Sequence, residues 1–144
     1  MLLLEQYRSL ARYNQLMNRK LYGHAQKLDD AEQKRDRGAF FGSLYATLNH
    51  LLLADRIWLV RFTGDASHGS RDASGAPIRV TGLTQVLYED FDVMRVERER
   101  TDAALVAFVD LLDEAKLLAP FAYESLAGAP QSHVLWWALG HLFN

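Results

Sequence analysis

The strongest constraint on the fold is an apolar seam in the second half of the chain, whose steps alternate between four and three residues. The seam runs through Leu87, Phe91, Met94, Arg98, Thr101, Leu105, Phe108 and Leu112. Alternating steps of this kind are the a/d pattern of helices that pack almost parallel to one another. We therefore predict one helix from about 83 or 84 to 115, continuous over 84–112, with the polar positions Arg98 and Thr101 at its middle.

Two earlier segments also have the apolar spacing of helices. The first helix is expected over about 3–27, with a buried face at Leu10, Tyr13 or Asn14, Met17 and Leu21. The second is expected over about 40–62, and its apolar stripe comprises Phe41, Leu44, Leu48, Leu51, Leu52, Trp58 and Leu59. A polar connector at about 32–38, with room for one helical turn, joins the two helices.

The segment 63–83 is rich in glycine and small polar residues, which predicts a long loop. It is not expected to separate domains, because neither side of it could close a core alone. A loop of this length allows the third helix to run parallel to the second, as in helical bundles with a crossover connection. The prediction is therefore a single domain over 1–144.

The last part of the chain is expected to differ from the rest. Weak alternation over 121–125, followed by Gly128 and Pro130, predicts a short hairpin, and Ser132 is the expected N-cap of a fourth helix. That helix could span about 20 Å before Asn144, whereas the second and third helices would each exceed about 33 Å. The fold class is thus all-α, a four-helix bundle with a long crossover, and its last helix is expected to be truncated.

The composition excludes several classes of function. There is no cysteine, so disulfides and cysteine nucleophiles are excluded, and any metal must be held by His, Asp or Glu. The net charge is −2, and acidic and basic residues alternate, which leaves no basic patch for nucleic acid. No apolar stretch approaches the roughly 18 residues of a membrane span, and no signal peptide core is present. A cytoplasmic protein without membrane contact is expected.

Two segments of the sequence carry a recognisable pattern. The first reads RGAFFGS at 37–43 and continues as TLNHLLLADRIW at 47–58. The second reads HLFN at 141–144, and the pair YN at 13–14 belongs to the same pattern. With these segments the chain resembles, over essentially its whole length, the DinB-like family of metal-dependent proteins. That family includes YfiT-like proteins and thiol-dependent S-transferases.

The resemblance implies a four-helix bundle, often dimeric, in which three histidines hold a divalent metal, nickel or zinc, between the helices. It places one of these ligands at His50. The other two would follow the HLFN segment, the first directly after Asn144 and the second one turn later. The metal is therefore expected in the complete protein and weak or absent in the chain as given. His141, one turn before the first of these positions, is not one of the three family ligands but is a candidate secondary or substitute ligand.

Each candidate residue also has a structural interpretation. His50 could be a partly buried histidine with an ordinary hydrogen bond, and His141 could be a core residue or an orienting partner for the ligands. Arg98 and Thr101 could face a polar pocket and bind an anion, or Arg98 could point outward or pair with Asp55. The three tryptophans are expected in the core or at a dimer interface.

The function implied by the resemblance is metal-dependent chemistry on a small molecule. A divalent cation with open positions would act as a Lewis acid, or would lower the pKa of bound water or of a bound thiol. Transfer of a low-molecular-weight thiol is expected first, and metal-assisted hydrolysis second. The alternative is a non-enzymatic helical-bundle homodimer, or a small-ligand-binding protein, with structural histidines. Stoichiometric metal retained through purification would separate these hypotheses.

Overall fold

A computed structural model describes residues 2–144 of the protein. In chain order its elements are α1 (Leu3–Ala25), α2 (Asp30–Lys34), α3 (Leu44–Thr63), α4 (Phe91–Asp110), α5 (Glu114–Leu118), β1 (Pro120–Glu124), β2 (Pro130–Val134) and α6 (Leu135–Phe143). The expectation of a mainly helical chain is confirmed, and one small two-stranded sheet is added to it. Within the described residues, none of these helices is both long and apolar enough to cross a membrane.

The second long helix, α3, begins later than its apolar stripe suggested. The Ser43 hydroxyl accepts a hydrogen bond from the Ala46 amide at 3.0 Å, which is a side-chain N-cap. Gly42, just before this cap, has a φ of 85°, a left-handed conformation that a right-handed helix cannot include. The predicted start near Phe40 is therefore wrong, and the Phe40 side chain is 94% exposed.

The third predicted helix is shorter at both ends than its seam suggested. α4 begins directly after Asp90, whose carboxylate accepts from the Val93 amide at 2.9 Å. The segment before it is held outside the helix by the buried Asn49 side chain, which accepts from the Leu87 amide at 2.7 Å. The prediction of one continuous helix over 84–112 is wrong for this reason, although Leu87 is buried as the seam required.

The crossover that the long loop predicted is present, because α4 runs parallel to α3. Contacts between the two helices advance together along both chains. Arg56 donates to the Thr101 hydroxyl at 2.8 Å, and farther along, the Phe62 ring stacks on Phe108 with centroids 5.4 Å apart. The loop between them returns the chain to the starting end of α3.

The first helix buries a face rotated from the one predicted, although the predicted Leu10 is partly buried against the core. Tyr13, Met17 and Leu21 are 61%, 40% and 40% exposed. The buried positions of α1 are instead Leu4, Tyr7, Ala11, Tyr22 and Ala25. The choice of face follows from the polar middle of α4, because the half-buried Asn18 donates to the Asp102 carboxylate at 2.9 Å. Apolar spacing alone could not reveal this polar contact.

The predicted hairpin is present as β1 and β2, which pair antiparallel. Ser132 lies inside β2, so its predicted role as the N-cap of the last helix is wrong. Val134 precedes α6 instead and provides no side-chain cap. The helix is docked on α1 by the Tyr7 hydroxyl, which donates to the Trp136 carbonyl at 2.6 Å.

The core has two apolar clusters with a polar layer between them. One cluster surrounds Leu52, near the start of α3, and the other surrounds Leu139 on α6. Between them, α4 contributes Arg98 and Asp102, which are 3% and 2% exposed. Buried charges of this kind need partners, and their arrangement decides which polar residues remain free for function.

Candidate functional site

The candidate metal ligand His50 is held by a contact to one nitrogen and a contact to its ring face. Its Nδ1 is 2.7 Å from the Leu83 carbonyl oxygen, and its ring stacks on Phe41 with centroids 4.0 Å apart. A carbonyl oxygen can only accept, so Nδ1 carries a proton, and in the neutral imidazole Nε2 then keeps its lone pair. This is the tautomer in which metal-binding histidines are usually fixed by a backbone carbonyl.

His50 lines a cavity of about 540 Å³ formed by α3, the hairpin, α6 and the loop before α4. Trp58, Arg61, Tyr123 and His141 line the same cavity. A space of this volume with aromatic walls and a few polar groups is typical of small-molecule sites. The structure thus brings together both histidines that the sequence singled out.

His141 does not lie in the core, so that interpretation is wrong. Its side chain is on an exposed part of α6, and its ring is 5.6 Å from Trp58 and 6.3 Å from Trp137, measured between centroids. Trp137 is itself 46% exposed. Because α6 is short, its outer face is open to solvent at this point, and His141 reaches the cavity from its edge.

The donor set at this cavity falls short of the needs of a divalent cation. Within residues 2–144, no group of three or more His, Asp or Glu side chains is arranged to hold one ion. An open catalytic zinc site typically uses three protein ligands. Asp55, the nearest acidic residue along α3, is turned to Arg98 instead, at 2.7 Å. The described residues therefore do not complete a ligand set around the candidate His50.

Arg98 pairs with carboxylates and is not left free to bind an anion. Its guanidinium lies 2.7 Å from Asp55 on α3 and 2.6 Å from Asp102 on α4. Asn18 on α1 also contacts Asp102, so three helices meet at this group. Thr101, the other polar seam residue, donates to the Glu97 carbonyl at 2.7 Å. The ion-pair interpretation of Arg98 and Asp55 is thus the one that the structure shows.

Burial shifts the acidity of this polar layer. Burial raises the pKa of Asp102 to about 6, and the neighbouring Arg98 and Asn18 act in the opposite direction. Burial also raises the pKa of Asp55, again opposed by Arg98. The two carboxylates share one arginine in a region removed from water, so each gains less from that arginine than a separate pair would.

A second cavity, of about 370 Å³, lies between α3, α4 and the crossover loop. Several arginines line it, but the buried one, Arg56, already forms an ion pair. Arg56 pairs with Glu97, and Arg100 donates to the same carboxylate at 2.6 Å. This cavity lacks the two candidate histidines, so it is the weaker candidate for a reaction site.

Arg61 and Tyr123 belong to the site but were not identified from the sequence. The Arg61 guanidinium carbon is 4.8 Å from the centre of the Trp58 ring and 4.9 Å from that of Tyr123. The spacing of Trp58 and Arg61 places both on one helix face, and this signal was available in the sequence. The position of Tyr123 depends on how the hairpin docks against α3, which no local pattern reports.

Comparison with known proteins gives one match. The family model described as the DinB family matches residues 3–143, which is nearly the whole chain. No curated protein and no solved structure matches the chain. The match agrees with the resemblance carried by the segments at 37–58 and 141–144.

Proposed function

Because the chain belongs to the DinB family, we propose that it is a metal-dependent protein in which His50 is a ligand of a divalent cation, nickel or zinc. The cavity beside His50 takes the small-molecule substrate. The observation that carries this proposal is the contact of His50 Nδ1 with the Leu83 carbonyl, which leaves Nε2 of the neutral imidazole unprotonated in a residue that lines the cavity. Stacking on Phe41 supports it by fixing the plane of the ring.

When bound, such a cation would supply Lewis-acid chemistry or lower the pKa of a bound thiol or water. Transfer of a low-molecular-weight thiol is the favoured reaction, and hydrolysis is second. The described residues do not complete a ligand set, so no reaction step is assigned through the metal. The chain's own contribution is binding, because Trp58 and Tyr123 provide an aromatic wall that orients a substrate and excludes water.

A second candidate function is a small-ligand-binding protein with structural histidines. The same contacts of His50 favour it, because a hydrogen bond to Leu83 and a stack on Phe41 already satisfy a partly buried imidazole. In that case the cavity binds its ligand without a cation. The two functions differ in whether a metal stabilises the folded protein.

The metal proposal is tested in the chain extended by a helical segment with one histidine directly after Asn144 and another four residues later. Nickel or zinc is expected to raise the melting temperature of this protein, because binding to the folded state alone stabilises it. His50→Ala should abolish the shift, and His141→Ala should only weaken it. His24→Ala, at an exposed position at the end of α1, is the matched control and should leave the shift unchanged.

Equal loss of the metal shift in the His50 and His141 variants would contradict this assignment of the ligands. Tight metal binding by the 144-residue chain would mean that another residue, such as His141 or Asp55, is a ligand. A melting temperature that does not respond to nickel or zinc in the extended protein would favour the small-ligand-binding protein.

We also propose that the protein is a homodimer and that α1, α3, α4 and α6 are the four helices of a bundle. The exposed apolar side chains of α1, Tyr13, Leu16, Met17 and Leu21, support an interface, since contiguous apolar surface commonly marks one. Met17→Glu should convert the dimer to a monomer in light scattering. Leu111→Glu, at a 77% exposed leucine outside α1, should leave it dimeric. A wild-type monomer would overturn the proposal.

A further inference from the structure

Arg61 on the wall of the 540 Å³ cavity has no counter-charge among residues 2–144. In the described residues its guanidinium forms no ion pair with any carboxylate within 4.0 Å. The side chain is half-buried and lies over the rings of Trp58 and Tyr123. Two aromatic contacts restrict the guanidinium but leave its N–H donors without an acceptor.

The two buried arginines, unlike the half-buried Arg61, have carboxylate partners. Arg56 pairs with Glu97, and Arg98 pairs with two aspartates. Burial lowers the pKa of Arg61, and the nearby Tyr123 partly opposes this shift. The fold therefore keeps a half-buried cation on the cavity wall without a carboxylate partner in the described residues, which leaves its guanidinium available to a ligand.

The charge of the ligand follows from the other residues on the wall. Arg61 is the one permanently charged side chain among those lining the cavity, and no Asp or Glu accompanies it there. One guanidinium matches one negative charge, and its planar fork matches the two oxygens of a carboxylate. A phosphate dianion would be undercompensated by a single arginine.

The shape of the ligand follows from the apolar part of the wall. Trp58 and Tyr123 meet edge to face with centroids 5.0 Å apart, and Ile57, Leu83 and Leu126 extend the apolar surface. Flat apolar groups pack well against such rings. We propose that the cavity binds a small organic monocarboxylate, with its carboxylate on Arg61 and its apolar or aromatic body against Trp58 and Tyr123.

This inference rests on the proposed function in one respect, namely that the His50 cavity is the substrate site. It adds the substrate class. His50 and His141 line the same cavity as Arg61, so a carboxylate anchored on Arg61 would extend its remaining part toward the histidines. Arg61 also lies in the last turn of α3, where a cation favours the helix dipole, and this is the competing explanation of its presence.

The test is calorimetric binding of 1-naphthoate and of its neutral analogue 1-naphthamide to the full 144-residue chain, without metal. Wild-type protein should bind the carboxylate at least about tenfold more tightly than the amide, as expected for a charge-assisted hydrogen bond. Arg61→Met should remove this preference and retain the apolar contacts of the stem. Arg61→Lys, which keeps the charge but not the fork, should give an intermediate affinity.

The matched control is Arg79→Met, at an exposed arginine of the crossover loop that also forms no ion pair in the described chain. It should bind the carboxylate as the wild type does. Equal binding of carboxylate and amide by wild-type protein would overturn the inference and needs no variant to fold. An unchanged preference in Arg61→Met, even with a lowered melting temperature, would overturn it in favour of the helix-dipole role.

Failure of this inference is distinguishable from failure of the proposed function. A His50-dependent metal shift without carboxylate preference would retain the metal protein and remove the substrate class. An Arg61-dependent carboxylate preference without any metal shift would support the inference and assign the cavity to a small-ligand-binding protein.

Discussion

Arg98 is buried and Arg61 is half-buried, yet only Arg98 forms ion pairs with carboxylates. The Arg98 guanidinium lies 2.7 and 2.6 Å from two carboxylates, whereas Arg61 lies on two aromatic rings and has no carboxylate within 4.0 Å in the described residues. A half-buried guanidinium without a carboxylate partner keeps its N–H donors available, so a ligand can pair with it. The fold itself provides the counter-charges of Arg98, whereas we propose that a bound ligand provides the counter-charge of Arg61.

The two sites also differ in what holds them in place. The partners of Arg98 come from α1, α3 and α4, so this polar layer ties the three long helices together at one level. The wall around Arg61 comes from α3, the hairpin, α6 and a loop, and it encloses open space. Substitutions in the layer should therefore change stability, and substitutions in the cavity should change binding.

The largest expected difference is in stability. Arg98→Met leaves Asp55 and Asp102 buried without a cation, which should lower the free energy of unfolding by about 3–5 kcal/mol. Arg61→Met removes an unpaired, half-buried charge and should change it by about 1 kcal/mol or less. Urea unfolding followed by circular dichroism at pH 7 measures both. Equal losses of unfolding free energy in the two variants would contradict the distinction between the polar layer and the cavity.

A smaller effect is expected from the residue that links the core to the cavity rim. Asn49 accepts from the Leu87 amide and donates to the Gln85 carbonyl, and so it positions the segment that carries Leu83. Asn49→Ala should cost about 1–3 kcal/mol, because buried backbone groups lose their partners. Hydrogen exchange should show the Leu87 amide unprotected.

The Val93 amide, which the Asp90 side chain caps independently, is the internal control for that experiment and should exchange as in the wild type. Unchanged protection at Leu87 would show that the rim is held by contacts other than Asn49. The cavity would then not depend on this link.

The most gradual expected effect is the pH dependence of the polar layer, which is spread over about two pH units. The pKa of Asp102 is raised to about 6, above the value of about 3.9 in an unfolded chain, so the folded state binds this proton more tightly. Stability contributed by Asp102 should therefore fall as pH rises from about 4 to 6, by at most about 1.4 kcal/mol per pH unit. Above that window the contribution should be constant.

The measurement is the difference in unfolding free energy between wild type and Asp102→Asn across pH 4–7. Wild type should lose stability relative to the variant as pH rises, because asparagine stays neutral. Asp65→Asn is a useful contrast, since hydrogen bonds from Ser67 lower the pKa of Asp65, so its contribution should be nearly constant over this range and be lost only below about pH 4. A wild type that gains stability relative to Asp102→Asn over this range would contradict the assignment.

The sequence predicted those parts of the fold that depend on local spacing. The helical character, the crossover and the hairpin follow from apolar repeats, a long loop and turn residues. The face of α1 and the start of α4 were wrong, because each is decided by a side chain from elsewhere. Asn18 meets Asp102 in the polar layer, and Asn49 holds Leu87 out of the helix.

The candidate site was predictable to a similar extent. His50 was identified from the TLNHLLLADRIW segment. Its cavity could not be predicted, because Tyr123 and His141 are contributed by the hairpin and α6. Arg98 stood out as a polar residue in an apolar seam, but the same signal marks a buried ion pair and a ligand site. Only the positions of Asp55 and Asp102 separate these interpretations, and those are tertiary.

The central claim is that His50 presents an unprotonated Nε2 to the cavity. Nitrogen-15 NMR of the histidine side chains, at a pH where imidazoles are neutral, tests it directly. The account predicts that His50 is in the Nδ1–H form, fixed by the Leu83 carbonyl, with its Nε2 resonance at the position of an unprotonated nitrogen. A proton on Nε2 of His50 would contradict the account, because that nitrogen could then bind neither nickel nor zinc.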